Sequence, residues 1–185
     1  MFKKSVKLLC VLIGTSLLAS CASYSITEQD MSQYLQDNVS FQQSVGIKNV
    51  MYAQVDVNDL QVKIGQVAED RVSIFANTKA IIQMLSVPEM GLDLDIEFSA
   101  IPEYEPETGK IFVNSLRLEQ FSELNDQLTP EIAQLLKPAV SMIGQALSQQ
   151  PVYELDSNDV KQALLKSTNP SLSVKDNKLV IELFN

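Results

Sequence analysis

Alternation of apolar and polar side chains from Val50 to Phe121 constrains the fold more than any other feature of this sequence. The clearest apolar rows are Val72, Ile74, Ala76, Ala80, Ile82 and Met84, and then Leu92, Leu94, Ile96 and Phe98. Polar residues, among them Asp93, Asp95 and Glu97, occupy the intervening positions. Because successive side chains of a strand point to opposite faces, this period predicts an antiparallel sheet of four long strands with one solvated face.

A bulge and a turn are predicted within this strand region. The apolar parity changes across Asn58 and Asp59, which indicates a β-bulge. The segment EYEPETGK is typical of a turn, and the strand that follows it is expected to direct Phe112, Leu116 and Leu118 toward the core.

One long helix is predicted after the strands. Thr129 is a typical N-cap, Pro130 suits the first helical position, and apolar residues continue at helical spacing to Gln149. Pro138 lies inside this helix and is expected to kink it or to loosen one turn, because proline lacks the backbone N–H that a helix interior needs.

Short elements are predicted at both ends of the domain. Thr27 and Asp30 form a capping-box pattern that begins a short N-terminal helix. A short C-terminal helix is expected from about Asp156 to Leu165. A hairpin closes the chain, with Asp176 and Asn177 as its two-residue turn.

The N-terminus has the pattern of an export signal. A lysine-rich start precedes an apolar run that is too short to span a membrane, and Leu18-Ala19-Ser20-Cys21 resembles the bacterial lipobox. This predicts removal of residues 1–20 and acylation of Cys21, followed by a short tether over residues 21–26 and one domain over residues 27–185. The alternative is an ordinary secretory signal that happens to contain a cysteine. Ala22 favours the outer membrane, where an aspartate would resemble the inner-membrane retention signal.

Charge and composition exclude several functions. Removing the three lysines of the signal from the 14 basic residues leaves 11 against 23 acidic residues, a net charge of −12. A surface this acidic argues against nucleic-acid binding and against electrostatic attachment to anionic lipid. The chain has no histidine, which excludes Ser-His-Asp and Cys-His catalysis.

Acidic residues offer one candidate metal site. Asp93, Asp95 and Glu97 share a strand face and precede the acidic turn around Glu105, but the spacing of a calcium-binding loop is missing. The row is better explained as the wet face of an amphipathic strand. No metal, no cofactor and no enzymatic activity are therefore expected.

Six segments together resemble the YceB family of envelope lipoproteins. They are YSITEQDMSQYL, SVGIKNV, VKIGQ, GKIFVNSLRL, QQPVYELD and LSVKDNKLVIELF, in this order along the chain. The resemblance implies an α+β fold in which a long curved antiparallel sheet, of about four long strands plus the C-terminal hairpin, wraps around one long helix, with short N- and C-terminal helices. Such a fold is similar to one module of the tubular, BPI-like lipid-binding proteins. Only Cys21 is carried over as a functional position.

The resemblance favours binding of a lipid, fatty acid or other apolar ligand in a slot between sheet and helix. The expected lining is Ile74, Ile82, Met84, Leu94, Ile96, Phe98, Leu135, Leu136, Val140 and Ile143. The protein is then a lipoprotein anchored through Cys21, on the periplasmic face of the outer membrane. The alternative is an interaction protein with a fully packed core, which docks to another envelope component.

Overall fold

The computed structural model describes residues 23–85, 87–123, 127–168 and 170–183. Strands dominate these residues, which form nine strands and three helices. The elements are β1 (Ser23–Thr27), α1 (Glu28–Asn38), β2 (Gln42–Ile47), β3 (Met51–Ile64), β4 (Val72–Met84), β5 (Val87–Glu105), β6 (Lys110–Glu123), α2 (Pro130–Gln149), β7 (Tyr153–Glu154), α3 (Val160–Lys166), β8 (Ser171–Lys175) and β9 (Lys178–Glu182).

The four long strands are those that the alternation predicts. They form the centre of a six-stranded antiparallel sheet in the order β2-β3-β4-β5-β6-β7. The register between β3 and β4 shifts between Val57 and Asp59, which confirms the predicted bulge. The predicted apolar rows lie on the buried face, where Ile74 pairs with Phe98 and Ala76 with Ile96.

The predicted architecture of one long sheet wrapped around one long helix is wrong. The strands form two sheets, because the C-terminal hairpin pairs with β1 in a separate three-stranded sheet in the order β1-β9-β8. The three helices are short, and the longest has 20 residues. Local alternation could not predict this division, since β1 and β9 come from opposite ends of the chain.

The helix ends follow their capping residues. The Thr27 and Asp30 capping box is present at the start of α1, and Thr129 caps α2 with a proline in the first turn, both as predicted. α2 continues through Pro138 without a break. α3 begins later than predicted, because Asp159 caps it.

A change of parity in β6 positions the candidate site. Ile111 and Val113 are fully buried, whereas Phe112, expected to face the core, is only half-buried. Ser115 has a φ of 50°, and the register between β5 and β6 shifts on either side of Ser99. This irregularity turns Leu116 and Leu118 to the side of the sheet on which α2 lies.

Candidate functional site

An open groove of about 590 Å³ lies between α2 and strands β5 and β6. Its lining consists of Phe98 from β5, Leu116 and Leu118 from β6, and Lys137, Val140, Ser141, Gly144, Gln145 and Ser148 from α2. The volume lies within the range of about 300–1,000 Å³ that is usual for small-molecule sites.

The groove has an apolar floor and a polar rim. Phe98 is 2% exposed and forms part of the floor, while Leu118 is 47% exposed and borders the opening. The polar residues of α2 that line the groove, Lys137, Ser141, Gln145 and Ser148, follow one another at intervals of three or four and therefore share one helix face. Such an arrangement suits an elongated apolar ligand with a polar end.

Gly144 sets how closely α2 approaches the strands. A methyl group at this position would lie 2.9 Å from Leu116 Cδ2 and 3.1 Å from Phe98 Cε1, whereas carbon atoms usually pack at about 3.5–4.0 Å. Glycine in a helix interior costs about 0.5–1 kcal/mol relative to alanine. The close approach of helix and floor explains why a glycine is suited to this position.

A buried arginine fixes the bulge that turns Leu116 toward the groove. Arg71 Nε donates to Ser99 Oγ (3.0 Å), and one terminal nitrogen donates to the backbone carbonyls of Ser99 (2.8 Å) and Ser115 (2.7 Å). Ser99 Oγ also donates to a carboxylate oxygen of Glu119. This network joins the start of β4 to β5 and to the irregular part of β6.

The groove runs beside an open edge of the six-stranded sheet. Only Lys110 and Ile111 of β6 pair with β7. Among the described residues, the rest of β6 pairs with β5 alone. An unpaired strand edge presents backbone donors and acceptors that another chain can use.

The structure places the ten predicted lining residues in three environments. Phe98 and Val140 line the groove. Six others are fully buried in the core, namely Ile74, Ile82, Leu94, Ile96, Leu136 and Ile143. Met84 and Leu135 are half-buried and pack against that core. The groove therefore brings together two of the ten residues, and the complete lining stays a prediction.

Sequence reasoning missed most of the groove. Leu116 and Leu118 were expected to face inward but were not included in the slot, because their position against α2 depends on the bulge at Ser115. Gly144 carried a usable signal, since a glycine within a strongly apolar helix often marks close packing.

The predicted lipidation site, Cys21, lies outside the described residues. Ser23 is the first residue of β1, so in the sequence only Ala22 lies between Cys21 and this strand. Two residue steps span at most about 7 Å. β1 overlaps the predicted tether segment 21–26 from Ser23 onward, and the division of the chain at these residues stays a prediction.

A tyrosine cluster joins α1 and β1 to β7. The hydroxyls of Tyr24 and Tyr153 share a hydrogen bond of 3.2 Å, and the ring centroids of Tyr34 and Tyr153 lie 5.8 Å apart. Burial, followed by the hydrogen bond with Tyr24, raises the pKa of the Tyr153 phenol. Burial also raises the pKa of Tyr34, with a smaller effect from Glu154. Both phenols are therefore neutral at physiological pH.

Acidic side chains show no metal-binding arrangement in the part of the chain that the structure describes. There, no three acidic side chains gather in a way that could hold a metal ion. In the predicted acidic row, Asp93 lies opposite Lys79 and Asp95 opposite Asn77 on β4. Among the same residues, no helix is both long and apolar enough to cross a membrane.

Comparison with known proteins shows the family. The chain belongs to the family described as "Protein of unknown function (DUF1439)", which matches residues 26–178. The "Uncharacterized lipoprotein YceB" of Salmonella typhimurium is 24% identical over 183 residues, covering 94% of this chain and 95% of that protein. The YceB lipoprotein of Escherichia coli K12 is 23% identical over 174 residues, covering 92% and 93%. The predicted resemblance to YceB is confirmed.

These relatives support a lipid-anchored protein of the cell envelope, as the N-terminal signal predicts. The choice of membrane and the face on which the domain lies stay predictions. Among solved structures, a crystal structure of lipopolysaccharide binding protein has a TM-score of 0.37 and 12% identity, covering 88% of this chain. The chain spans about half the length of that protein, at 49%, and a likeness this weak supports no argument.

Proposed function

We propose that this protein is a membrane-anchored periplasmic lipoprotein that binds a lipid, fatty acid or other apolar ligand in the groove between α2 and strands β5 and β6. The observation that carries the proposal is one apolar surface, formed by Phe98, Leu116 and Val140 on the floor and Leu118 at the opening, beside a row of polar side chains. The proposed function is binding and not catalysis.

The composition of the groove supports an amphiphilic ligand. Transfer of each methylene group out of water contributes about 0.8 kcal/mol, so contact of an acyl chain with the floor supplies most of the affinity. Lys137 is the charged residue of the lining, and it lies beside Ser141 on the rim. The polar end of the ligand is expected at this rim, where water also reaches it.

The short tether decides where such binding happens. With Cys21 acylated and β1 starting at Ser23, the domain stays at the membrane surface. A domain held in this way takes up or hands over a ligand at the membrane, and it does not carry the ligand across the periplasm.

A second candidate function is docking of an envelope protein. The open edge of β6 favours it, since an extended peptide segment can add as a further strand to such an edge. The filled core formed by residues such as Ile96, Leu136 and Ile143 is also compatible with a pure interaction domain.

A matched pair of leucine variants tests the ligand proposal. Leu118 in the groove and Leu164 on α3 are almost equally exposed, at 47% and 48%, so serine at either position has a similar, small effect on folding. The mature chain with Cys21→Ser is titrated with a fluorescent fatty acid. Leu118→Ser is expected to weaken binding about tenfold, which corresponds to loss of an apolar contact of roughly 1.4 kcal/mol.

Leu164→Ser is the control and is expected to bind like the parent chain. Equal binding by both variants would place the ligand elsewhere. Absence of binding in the parent chain, together with capture of a peptide along β6, would favour the docking function.

A further inference from the structure

Two neighbouring hairpin turns form an apolar tip at one end of the six-stranded sheet. The tip consists of Ile47, Val50 and Met51 at the β2–β3 turn and Leu85 at the end of β4. These residues are 69%, 54%, 50% and 71% exposed, respectively. Large aliphatic side chains occur singly on most surfaces, whereas four together indicate a contact surface.

The backbone of the tip is well defined by hydrogen bonds. Val50 N–H donates to the Ile47 carbonyl (3.1 Å), and Leu85 N–H donates to the Val50 carbonyl (2.9 Å), which joins the two turns. Gly46 has a φ of 88°, and a side chain there would collide with the backbone of Met51. These hydrogen bonds satisfy backbone groups that would otherwise oppose entry into a medium poor in water.

The tip lies at the opposite end of the sheet from the lipid anchor. β3 has 14 residues from Met51 to Ile64, which corresponds to about 43 Å. Ile64 N–H donates to Glu28 Oε1 (2.9 Å), so the start of α1, which directly follows β1, lies at the far end of β3. Only Ala22 separates Cys21 from β1.

We propose that the tip inserts its four apolar side chains into the surface of a lipid bilayer and so gives the anchored domain a second membrane contact. The anchor holds the domain next to a bilayer, and the domain is long enough for the tip to reach that bilayer. The contact between tip and bilayer therefore forms at a high effective concentration. A weak apolar contact is then sufficient.

The charge of the tip fits lipid headgroups. The β2–β3 turn carries Lys48 and no acidic residue, although the mature chain is strongly acidic. Lys48 is exposed, with its Nζ 5.4 Å from the ring centroid of Tyr52, and its long side chain can extend from there to the headgroups while its neighbours enter the apolar layer. Glu89 on the adjacent strand accepts a hydrogen bond from Gln83 (2.7 Å).

The residue types at the tip also favour lipid over a protein partner. Protein interfaces concentrate their binding energy in Trp, Tyr and Arg, which fill pockets on the partner. The exposed tip side chains are aliphatic or Met, and they project from hairpin turns. Such side chains suit a fluid surface that adapts to them.

A single tryptophan tests the contact, because the chain has none of its own. Leu85→Trp is placed in the mature chain with Cys21→Ser, and vesicles of phosphatidylcholine with phosphatidylglycerol carry brominated acyl chains that quench tryptophan by contact. The proposal predicts a blue shift and quenching with Leu85→Trp. Val67→Trp, an exposed position in the loop after β3, is the control and is expected to show neither effect.

Adding Ile47→Ser to Leu85→Trp is expected to weaken vesicle binding about tenfold, because one large aliphatic side chain no longer enters the bilayer. Leu118→Ser, which changes only the groove, is expected to leave quenching unchanged. The quenching assay therefore tests membrane contact independently of ligand binding in the groove. Equal quenching at positions 67 and 85 of the unacylated protein, or no quenching at position 85 in either the unacylated or the acylated protein, overturns the proposal. In the latter case a protein partner is the remaining occupant of the tip.

Discussion

Gly144→Ala tests the proposed groove with the smallest change that the structure allows. The new methyl group would lie 2.9 Å from Leu116 Cδ2 and 3.1 Å from Phe98 Cε1. Phe98 is buried among its neighbours, whereas Leu116 is half-buried and borders open space. Leu116 is therefore expected to move into the groove and narrow it.

The expected effects on stability and on binding differ in size. Alanine gains about 0.5–1 kcal/mol of helix propensity, and overpacking costs about 1–3 kcal/mol, which the movement of Leu116 reduces. The net free energy of unfolding is therefore expected to change by at most about 1 kcal/mol. A ligand that occupies the groove competes with Leu116 for the same space, so the cost of overpacking weakens binding. This corresponds to a loss of affinity of about fivefold or more.

Urea unfolding and titration with a fluorescent fatty acid measure the two quantities in the same protein. Gln134→Ala, at an exposed position of α2 outside the lining, is the control for a change in helix propensity alone. A Gly144→Ala protein that unfolds like the parent and binds with the same affinity would refute the assignment of the ligand to this groove.

Two further predictions concern β1, which begins two residues after Cys21, and the tyrosine cluster that joins β1 and α1 to β7. Ile26 in β1 is fully buried, so Ile26→Ala is expected to lower the free energy of unfolding by about 2–5 kcal/mol in urea titrations, while Ser25→Ala, at an exposed position of the same strand, changes it little. The raised pKa of Tyr153 means that the folded state keeps a proton that the unfolded chain releases above pH 10.0. Stability is therefore expected to fall as the pH rises beyond about 10, and less steeply in Tyr153→Phe; an unchanged slope would contradict this assignment.

Local patterns predicted the individual elements of this fold well. Period-two alternation identified β3 to β6, and the parity change at Asn58 identified the bulge, because both follow from neighbouring side chains on one strand. Thr129 and Pro130 marked the start of α2. Asp176 and Asn177 both have positive φ, as the predicted two-residue turn requires.

Such local patterns could not predict which strands pair when they are far apart in the sequence. Pairing of β1 with β9 joins Tyr24 to Ile181 across almost the whole chain, and nothing local in SYSIT indicates a partner. The groove also depends on contacts between residues that are far apart in the sequence. Leu116 faces α2 only because of the bulge at Ser115, which Arg71 stabilises from its position directly before β4.

Mass spectrometry of bound lipid tests the central claim most directly. The mature chain with Cys21→Ser, which cannot be acylated, is purified from cell envelopes without detergent and analysed intact under native conditions. The proposed function predicts a copurifying phospholipid or fatty acid in the parent protein and a marked loss of it in Leu118→Ser. A parent protein that carries no lipid, and that also fails to bind a fluorescent fatty acid, would contradict the account.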